Sequence, residues 1–334
     1  MSEGFLKKAL RGFEPYVPGE QPADGEGWVK LNTNESPLPP SPNVIEAIKA
    51  ATGDSLRLYP SPTGAPARAA IAAHLDLHPS QVALGNGGDE LIEMCFRAFA
   101  GKGDHVAYPT PTYSLFEPLC RIHETVSVPH PSAEGWTWTE ELAEDHAPLK
   151  FLVNPNSPTG TWSAEAAVED VVTRSKGVVV LDEAYVDFAP ESCISLLDKH
   201  SNLLILRTLS KSYALAGMRI GFALGNRELI GALDAVKDSY NMDRLAIVAA
   251  VAAIRDEDHH RAIVDHVVAE RGWLAERLRE SHFEVAPSAT RQRPLRTPCA
   301  SDGSSSAITI VSRSPAGSGS RSAPATSTSA CSKH

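Results

Sequence analysis

Residues Leu203 to Leu206 form a short, unbroken apolar run that stops abruptly at Arg207-Thr208-Leu209-Ser210-Lys211-Ser212. A continuous run of this kind suits a strand buried on both faces of a parallel sheet, with helices covering each side. The loop leaving such a strand lies at its carboxyl end, where open α/β sheets bind ligands. Here hydroxyls surround a single lysine, and Gly217, Met218, Arg219 and a second apolar run, Ile220 to Leu224, follow. A lysine amine that loses its charge, by desolvation or beside another cation, becomes a nucleophile towards carbonyls. Arg219 fits either as that cation or, alongside Ser210, as a holder of phosphate. On this stretch alone the plainer reading is a solvated lysine before a helix.

The same pattern recurs along the chain. Val82 to Gly85 reads as a strand, Asn86-Gly87-Gly88-Asp89-Glu90 as a glycine turn, and Leu91 to Phe99 has helical apolar spacing. Strand, glycine turn and helix start make an anion cradle, because free N–H groups and the positive end of the helix dipole face one spot. Asp89 equally suits a helix cap. The fingerprint G-x-G-x-x-G is absent, which weighs against a dinucleotide. His105 to Tyr108 is a strand leading to Tyr113, a ring that stacks on a planar ligand or simply joins the core. Glu124 to Val128 and Lys150 to Val153 read as strands, the latter ending in the rigid loop Asn154-Pro155-Asn156-Ser157-Pro158-Thr159-Gly160. Gly177 to Leu181 delivers Asp182-Glu183-Ala184-Tyr185 at its end. A buried carboxylate needs a partner, and Asp182 suits a protonated ring nitrogen while Tyr185 can donate to a ring oxygen. A helix cap and a core tyrosine are the plainer alternative. Val44 to Thr52, Ala65 to Leu75, Leu229 to about Ala253 and His259 to Ser281 read as helices, and Phe283 to Pro287 begins a strand. In the Pro-rich start, Asn34, Glu35 and Ser36 suit turns or the lining of a site.

Strands alternating with helices, with chemically active loops at the same strand ends, predict an α/β domain around one cleft. A chain of 334 residues has room for about two domains of ~150 residues. The formal charge of -10 argues against a nucleic-acid partner, which usually meets a basic face. Cys95, Cys120, Cys193, Cys299 and Cys331 are scattered without C-x-x-C spacing, so neither a disulfide framework nor a metal site is expected and a reducing cytoplasm fits. No run approaches the ~20 apolar residues of a membrane span, and MSEGFLKKALRGF lacks a signal core.

Taken together, LNTNESP, LYPSP, GNGGDEL, YPTPTYSLF, NPNSPTG, LDEAYVDF and TLSKSYALAGMRIG, in this order and spacing, resemble a fold-type I pyridoxal-phosphate aminotransferase of the histidinol-phosphate aminotransferase family. The resemblance runs from about Leu31 to Thr290. It implies a mostly parallel central sheet with helices on both faces, plus a smaller α+β domain. It implies pyridoxal 5'-phosphate as cofactor, with Lys211 as the lysine that joins it covalently and later moves the proton. It implies that Asp182 pairs with the ring nitrogen, that Tyr185 and the Asn156 loop meet the ring hydroxyl, and that Tyr113 stacks on the ring. Gly88, Asp89, Ser210 and Arg219 would hold the phosphate, and Tyr59 would reach the cofactor of the partner in a homodimer. The implied reaction converts L-histidinol phosphate and 2-oxoglutarate to imidazole acetol phosphate and L-glutamate, in histidine biosynthesis. A related lyase such as a threonine-phosphate decarboxylase shares most of these loops, and a cofactor-binding scaffold without turnover is a third reading.

The chain departs from the family at two places. The family more commonly reads N-N-P-T-G, and the asparagine directly before that proline is here Ser157. After Thr290 the sequence turns serine-rich, with Asp302 its only acid and few bulky aliphatics, a composition unable to bury a core face. The expectation is a reading-frame shift or another sequence error after Thr290, with loss of the family's later L-R-I-T-I-G-T-like motif and its substrate arginine; a natural linker-like tail is the alternative. The expected division is an N-terminal arm and part of the small domain over 1–45, a large cofactor-binding domain over 46–250, a truncated small domain over 251–290 and a disordered, non-family tail over 291–334.

Overall fold

A computed structural model describes residues 5–13, 15, 28–290, 295–296 and 312–313. The expectations of a disordered tail and a frame shift after Thr290 fall almost wholly outside the described residues. By contacts the chain divides into two units, Met1–Pro18 with Asn34–Ile308, and Gly19–Thr33 with Thr309–His334. The described ladder of the second unit pairs β1 (Trp28–Val29) antiparallel with β11 (Ser312–Arg313).

In the first unit a seven-stranded sheet is built from β2 (Val82–Asn86), β3 (His105–Thr110), β4 (Val126–Pro131), β5 (Leu149–Val153), β6 (Val178–Asp182), β7 (Leu203–Thr208) and β8 (Ile220–Gly225). Their spatial order is β2-β8-β7-β6-β5-β3-β4. Five strands, β4, β3, β5, β6 and β7, pair in parallel, and β8 runs antiparallel to both β7 and β2. Since β8 reverses direction twice over, β2 points the same way as the parallel strands, and all six share one carboxyl edge.

The unbroken apolar runs explain the layering. Side chains along a strand alternate between faces, so a run without polar residues serves two cores at once. On β7, Leu203 and Ile205 join one buried cluster while Leu204 and Leu206 join the other; on β6, Val179 and Leu181 oppose Val180 in the same way. One face is covered by α1 (Pro42–Ala51), α2 (Ala65–His74), α5 (Glu140–Glu144), α6 (Glu165–Arg174) and α8 (Arg244–Arg255). The other is covered by α3 (Gly88–Phe99), α4 (Phe116–His123) and α7 (Arg227–Val236). Burying one Leu of these runs stabilises the fold by roughly 1.5–3 kcal/mol.

The single helix expected over Leu229 to Ala253 is two helices, α7 and α8. The polar stretch Lys237 to Asp243 breaks it, and Asp243 starts α8 by accepting the Ala246 N–H at 2.8 Å. The break sends the two helices to opposite faces of the sheet. α9 (Glu257–Glu280) begins at Asp256, whose carboxylate also accepts from Asn43 Nδ2 at 2.9 Å. Arg271 on α9 donates to Phe188 O at 3.0 Å and to Thr290 O at 3.2 Å. The strand expected from Phe283 is reduced to β9 (Glu284–Val285), paired with β10 (Leu295–Arg296).

Candidate active site

The register brings the predicted loops to one place. Asn86 of β2 pairs with Ile220 of β8, and Thr208 of β7 pairs with Gly221, so the Gly87 turn, Arg219 and the Ser210-Lys211 loop meet at the carboxyl edge. Asp182 ends β6 between Leu206 and Val153. These ends enclose a cavity of about 160 Å³ lined by Gly88, Asp89, Tyr113, Asp182, Tyr185, Ser210, Lys211 and Arg219 among others. That is more than ten times the ~10–15 Å³ one water requires by the same measure, so a small molecule fits.

One wall is an anion cradle. α3 starts at Gly87, which has no side chain to cap the first turn, so the Gly88 end presents backbone N–H groups. Gly87 has φ +85°, and a Cβ there would collide with the Arg219 guanidinium. A Cβ on Gly221 would lie 2.7 Å from the Gly87 carbonyl carbon, so two glycines let β8 and the turn close up and bring Arg219 over the cradle. Arg219 Nη2 lies 3.1 Å from Asp89 Oδ2, and the Tyr113 hydroxyl donates to Asp89 Oδ1 at 2.9 Å. Below them Thr208 Oγ1 donates to the Ser210 hydroxyl at 2.9 Å and accepts the Ser210 N–H at 3.0 Å, which fixes the buried serine.

Asp182 lines the same cavity. Its Oδ1 accepts the Ala184 N–H at 2.9 Å, and burial pushes its carboxyl up to about 6 against that bond, with the nearby Asp89 adding to the rise and Lys211 opposing it. A carboxylate so enclosed favours a cationic partner from the cavity. Tyr185 accepts from Asn34 Nδ2 at 2.7 Å, and the Lys211 ammonium lies 5.6 Å from the centre of the Tyr185 ring. Arg219, Ala214 and Asn34 all hold left-handed φ (+49°, +58°, +56°). Such strain, roughly 1–3 kcal/mol per residue, gathers where surrounding structure dictates the conformation.

Two predicted residues stand outside this cavity. Asn156 does not line it: its Nδ2 donates to Pro111 O at 3.0 Å and Thr159 Oγ1 at 2.8 Å, and its Oδ1 accepts from Thr112 Oγ1 at 2.9 Å. It ties the loop after β5 to the loop after β3, and Ser157 faces the cavity instead. Tyr59 is 78% exposed and stacks on Tyr240 with ring centres 4.5 Å apart. Arg207 and Thr208 also line the cavity and were not singled out as site residues. Arg207 Nε and Nη2 bind Glu183 Oε2 at 3.0 and 2.9 Å, a pair buried behind the site. In sequence both read as the opening of the polar loop after Leu206, whereas the structure carries β7 on through Thr208.

The arrangement suits a flat ring with a basic nitrogen at the Asp182 end, an anionic group at the Arg219 end and a carbonyl within reach of an amine. The comparisons with known proteins agree. A family model for aminotransferases of class I and II matches residues 26–304. The histidinol-phosphate aminotransferase of Geotalea uraniireducens is 40% identical over 85% of this chain and 82% of its own length. Histidinol-phosphate aminotransferase 2 of Dechloromonas aromatica is 43% identical at the same coverage. Among solved structures, the Sinorhizobium meliloti histidinol-phosphate aminotransferase, in complex with pyridoxal-5'-phosphate, superposes with a TM-score of 0.75 at 30% identity, over 80% of this chain and 75% of that one. Thermus thermophilus aspartate aminotransferase, 22% identical with a TM-score of 0.71 over 86% and 83%, shares the fold. With its sheet order, its lysine cavity and these relatives in agreement, the chain belongs to the class I and II aminotransferases, within the histidinol-phosphate aminotransferase family.

Proposed function

We propose that this protein uses pyridoxal 5'-phosphate to move the amino group of L-histidinol phosphate to 2-oxoglutarate. The observation that carries the reading is Lys211 sharing one cavity with an enclosed, cation-seeking Asp182 and with the Arg219 cradle. The cofactor's three distinctive groups each meet a match: Asp182 the ring nitrogen, the Gly88 turn with Ser210 and Arg219 the phosphate, and Lys211 the aldehyde. When bound, the cofactor supplies a carbonyl for amines and a protonated ring that draws electrons from the reacting carbon. Asp182 keeps the proton on that ring nitrogen, which is the role its environment prepares. Tyr185 and Ser157 are in place to hydrogen-bond the ring hydroxyl, and Tyr113 to lie against the ring. With the substrate amine in its place, Lys211 Nζ would serve as the base that takes the proton from the amine-bearing carbon and delivers it to the carbon on the far side of the amine nitrogen.

The assembly we infer is a homodimer in which Tyr59 serves the neighbouring site. Its exposure supports this, as does an adjacent apolar groove of about 570 Å³ lined by Ala47, Ala51, Val251 and Ala252 among others. We retain the division into a large cofactor-binding domain and a small domain beginning near α9, in a cytoplasmic enzyme; no helix among the described residues is long and apolar enough to cross a membrane. The test is glutamate formation from histidinol phosphate and 2-oxoglutarate by reconstituted protein. Carbon dioxide release from threonine phosphate, with no glutamate, would replace this reading with the lyase.

A further inference from the structure

Behind Lys211 lies a charged cluster that the reaction as described leaves unused. Ser212 follows the lysine but turns away from the cavity, is buried, and donates a short hydrogen bond to Asp187 Oδ2. His260, in the first turn of α9, places its Nε2 3.4 Å from the same oxygen. That contact lacks the alignment of a hydrogen bond, so the ring and the carboxylate interact electrostatically across 3.4 Å. The next residue of the lysine loop, Tyr213, stacks face to face on the His260 ring, with centres 3.9 Å apart and planes within 7°. Burial alone would raise the Asp187 carboxyl, yet it lies below its ordinary value because His260, Arg207 and Ser212 outweigh that effect. The other charges near the cluster are Glu183, paired with Arg207, and Glu257, which contacts His74 and whose charge is felt at Tyr213.

The loop itself is tightly closed. Leu215 N–H donates to Leu209 O at 3.1 Å, and Leu209 N–H to Ile220 O at 3.0 Å. Freedom is therefore confined to the residues between, and of these Ser212 and Tyr213 are fastened to Asp187 and α9. Asp187 also sits two residues after Tyr185, and Tyr185 and Phe188 pack on Ile263 and Val267 of the same helix.

We propose that Asp187 is a positioning residue which, through Ser212 and His260, sets the reach of the Lys211 amine and couples it to α9. The proposal rests on Lys211 being the nucleophile. A displacement of about 1 Å at a reacting group costs on the order of 100-fold in rate, so the hydroxyl of Ser212 has leverage out of proportion to its size. Ser212→Ala should lower kcat by about 10–100-fold with KM for both substrates little changed. It should also shift the pH at which the bound cofactor's absorbance changes, and Ser212→Thr, which keeps the hydroxyl, should restore both. Asp187→Asn keeps an acceptor for Ser212 but loses the charge facing His260. Its absorbance midpoint should move to lower pH, since a carboxylate stabilises nearby protonated groups.

Melting temperature is measured alongside, with and without cofactor. A parental kcat and absorbance midpoint in Ser212→Ala would overturn the proposal. So would a loss of kcat matched by a lower melting temperature and failure of Ser212→Thr to restore it. If the parent chain develops no cofactor absorbance at all, the reading of Lys211 falls with it.

Discussion

Replacing Asp182 with Asn should make the cofactor-free protein more stable and the loaded protein worse at its task. Burial moves the Asp182 carboxyl from its ordinary 3.8 to about 6. The folded state then holds a proton more firmly than the unfolded chain, so stability falls as pH rises through that interval and stays reduced above it. At 1.36 kcal/mol per pH unit the interval amounts to about 3 kcal/mol, an upper bound because the cavity admits water. Asn keeps the oxygen that accepts from Ala184 and does not ionise. Near pH 7.5 cofactor-free Asp182→Asn should therefore melt several degrees higher, since each kcal/mol moves a domain of this size by about 2–4 °C. Below about pH 3 the two proteins should melt together, because Asp182 is then largely protonated in the folded and the unfolded states alike. With cofactor the order reverses: the amide cannot hold the ring proton, so affinity drops and kcat falls by roughly 10²–10³. Calorimetry at both pH values checks the first part and turnover the second. An Asn variant that is less stable near neutrality, or a gap that does not change with pH, would refute the electrostatic account.

Gly87→Ala forces a left-handed φ on a residue with a Cβ and pushes on Arg219; it should cost about 1–3 kcal/mol in denaturant melts and weaken cofactor binding in a fluorescence titration. Fully buried Lys150 donates to Leu142 O at 2.6 Å and Ser175 Oγ at 2.8 Å, and burial lowers its amine from 10.5 to about 8. Since the unfolded chain binds the extra proton between those values, the parent should gain up to ~3 kcal/mol relative to Lys150→Met as pH rises through them, read from paired denaturant curves. Mixing Lys211→Ala with Tyr59→Ala chains should recover part of the activity that each lacks alone, because a mixed dimer contains one site with both residues; activity no greater than the sum of the parts would count against a shared site.

Legibility varied with the physics behind each signal. β6, β7 and β8 were plain because a strand serving two cores is apolar almost to its end, and the ends of β6 and β7 are where Asp182 and the Lys211 loop emerge. Edge strand β4 was blurred, its residues Val126 to Pro131 being part exposed and carrying Ser127, Pro129 and His130. Helix α4 contains Pro118 and only eight residues, too short for a clear period. The joined helix over Leu229 to Ala253 was misread because alanine-rich stretches look alike on either side of a break. In NPNSPTG the sequence could not tell which side chain faces the ligand, since Asn156 and Ser157 differ only in how the loop turns. His260 carried no signal: its meeting with Asp187 and Tyr213 joins residues far apart in sequence through the packing of α9.

The central claim is that the Lys211 amine takes up pyridoxal phosphate in the cavity it shares with Asp182 and Arg219. The most direct measurement is borohydride reduction of the reconstituted protein, followed by mass analysis of its peptides. The account predicts a single pyridoxyl group on Lys211 and none on Lys211→Ala. A colourless protein, or a tag spread over surface lysines with Lys211 unmodified, would contradict it.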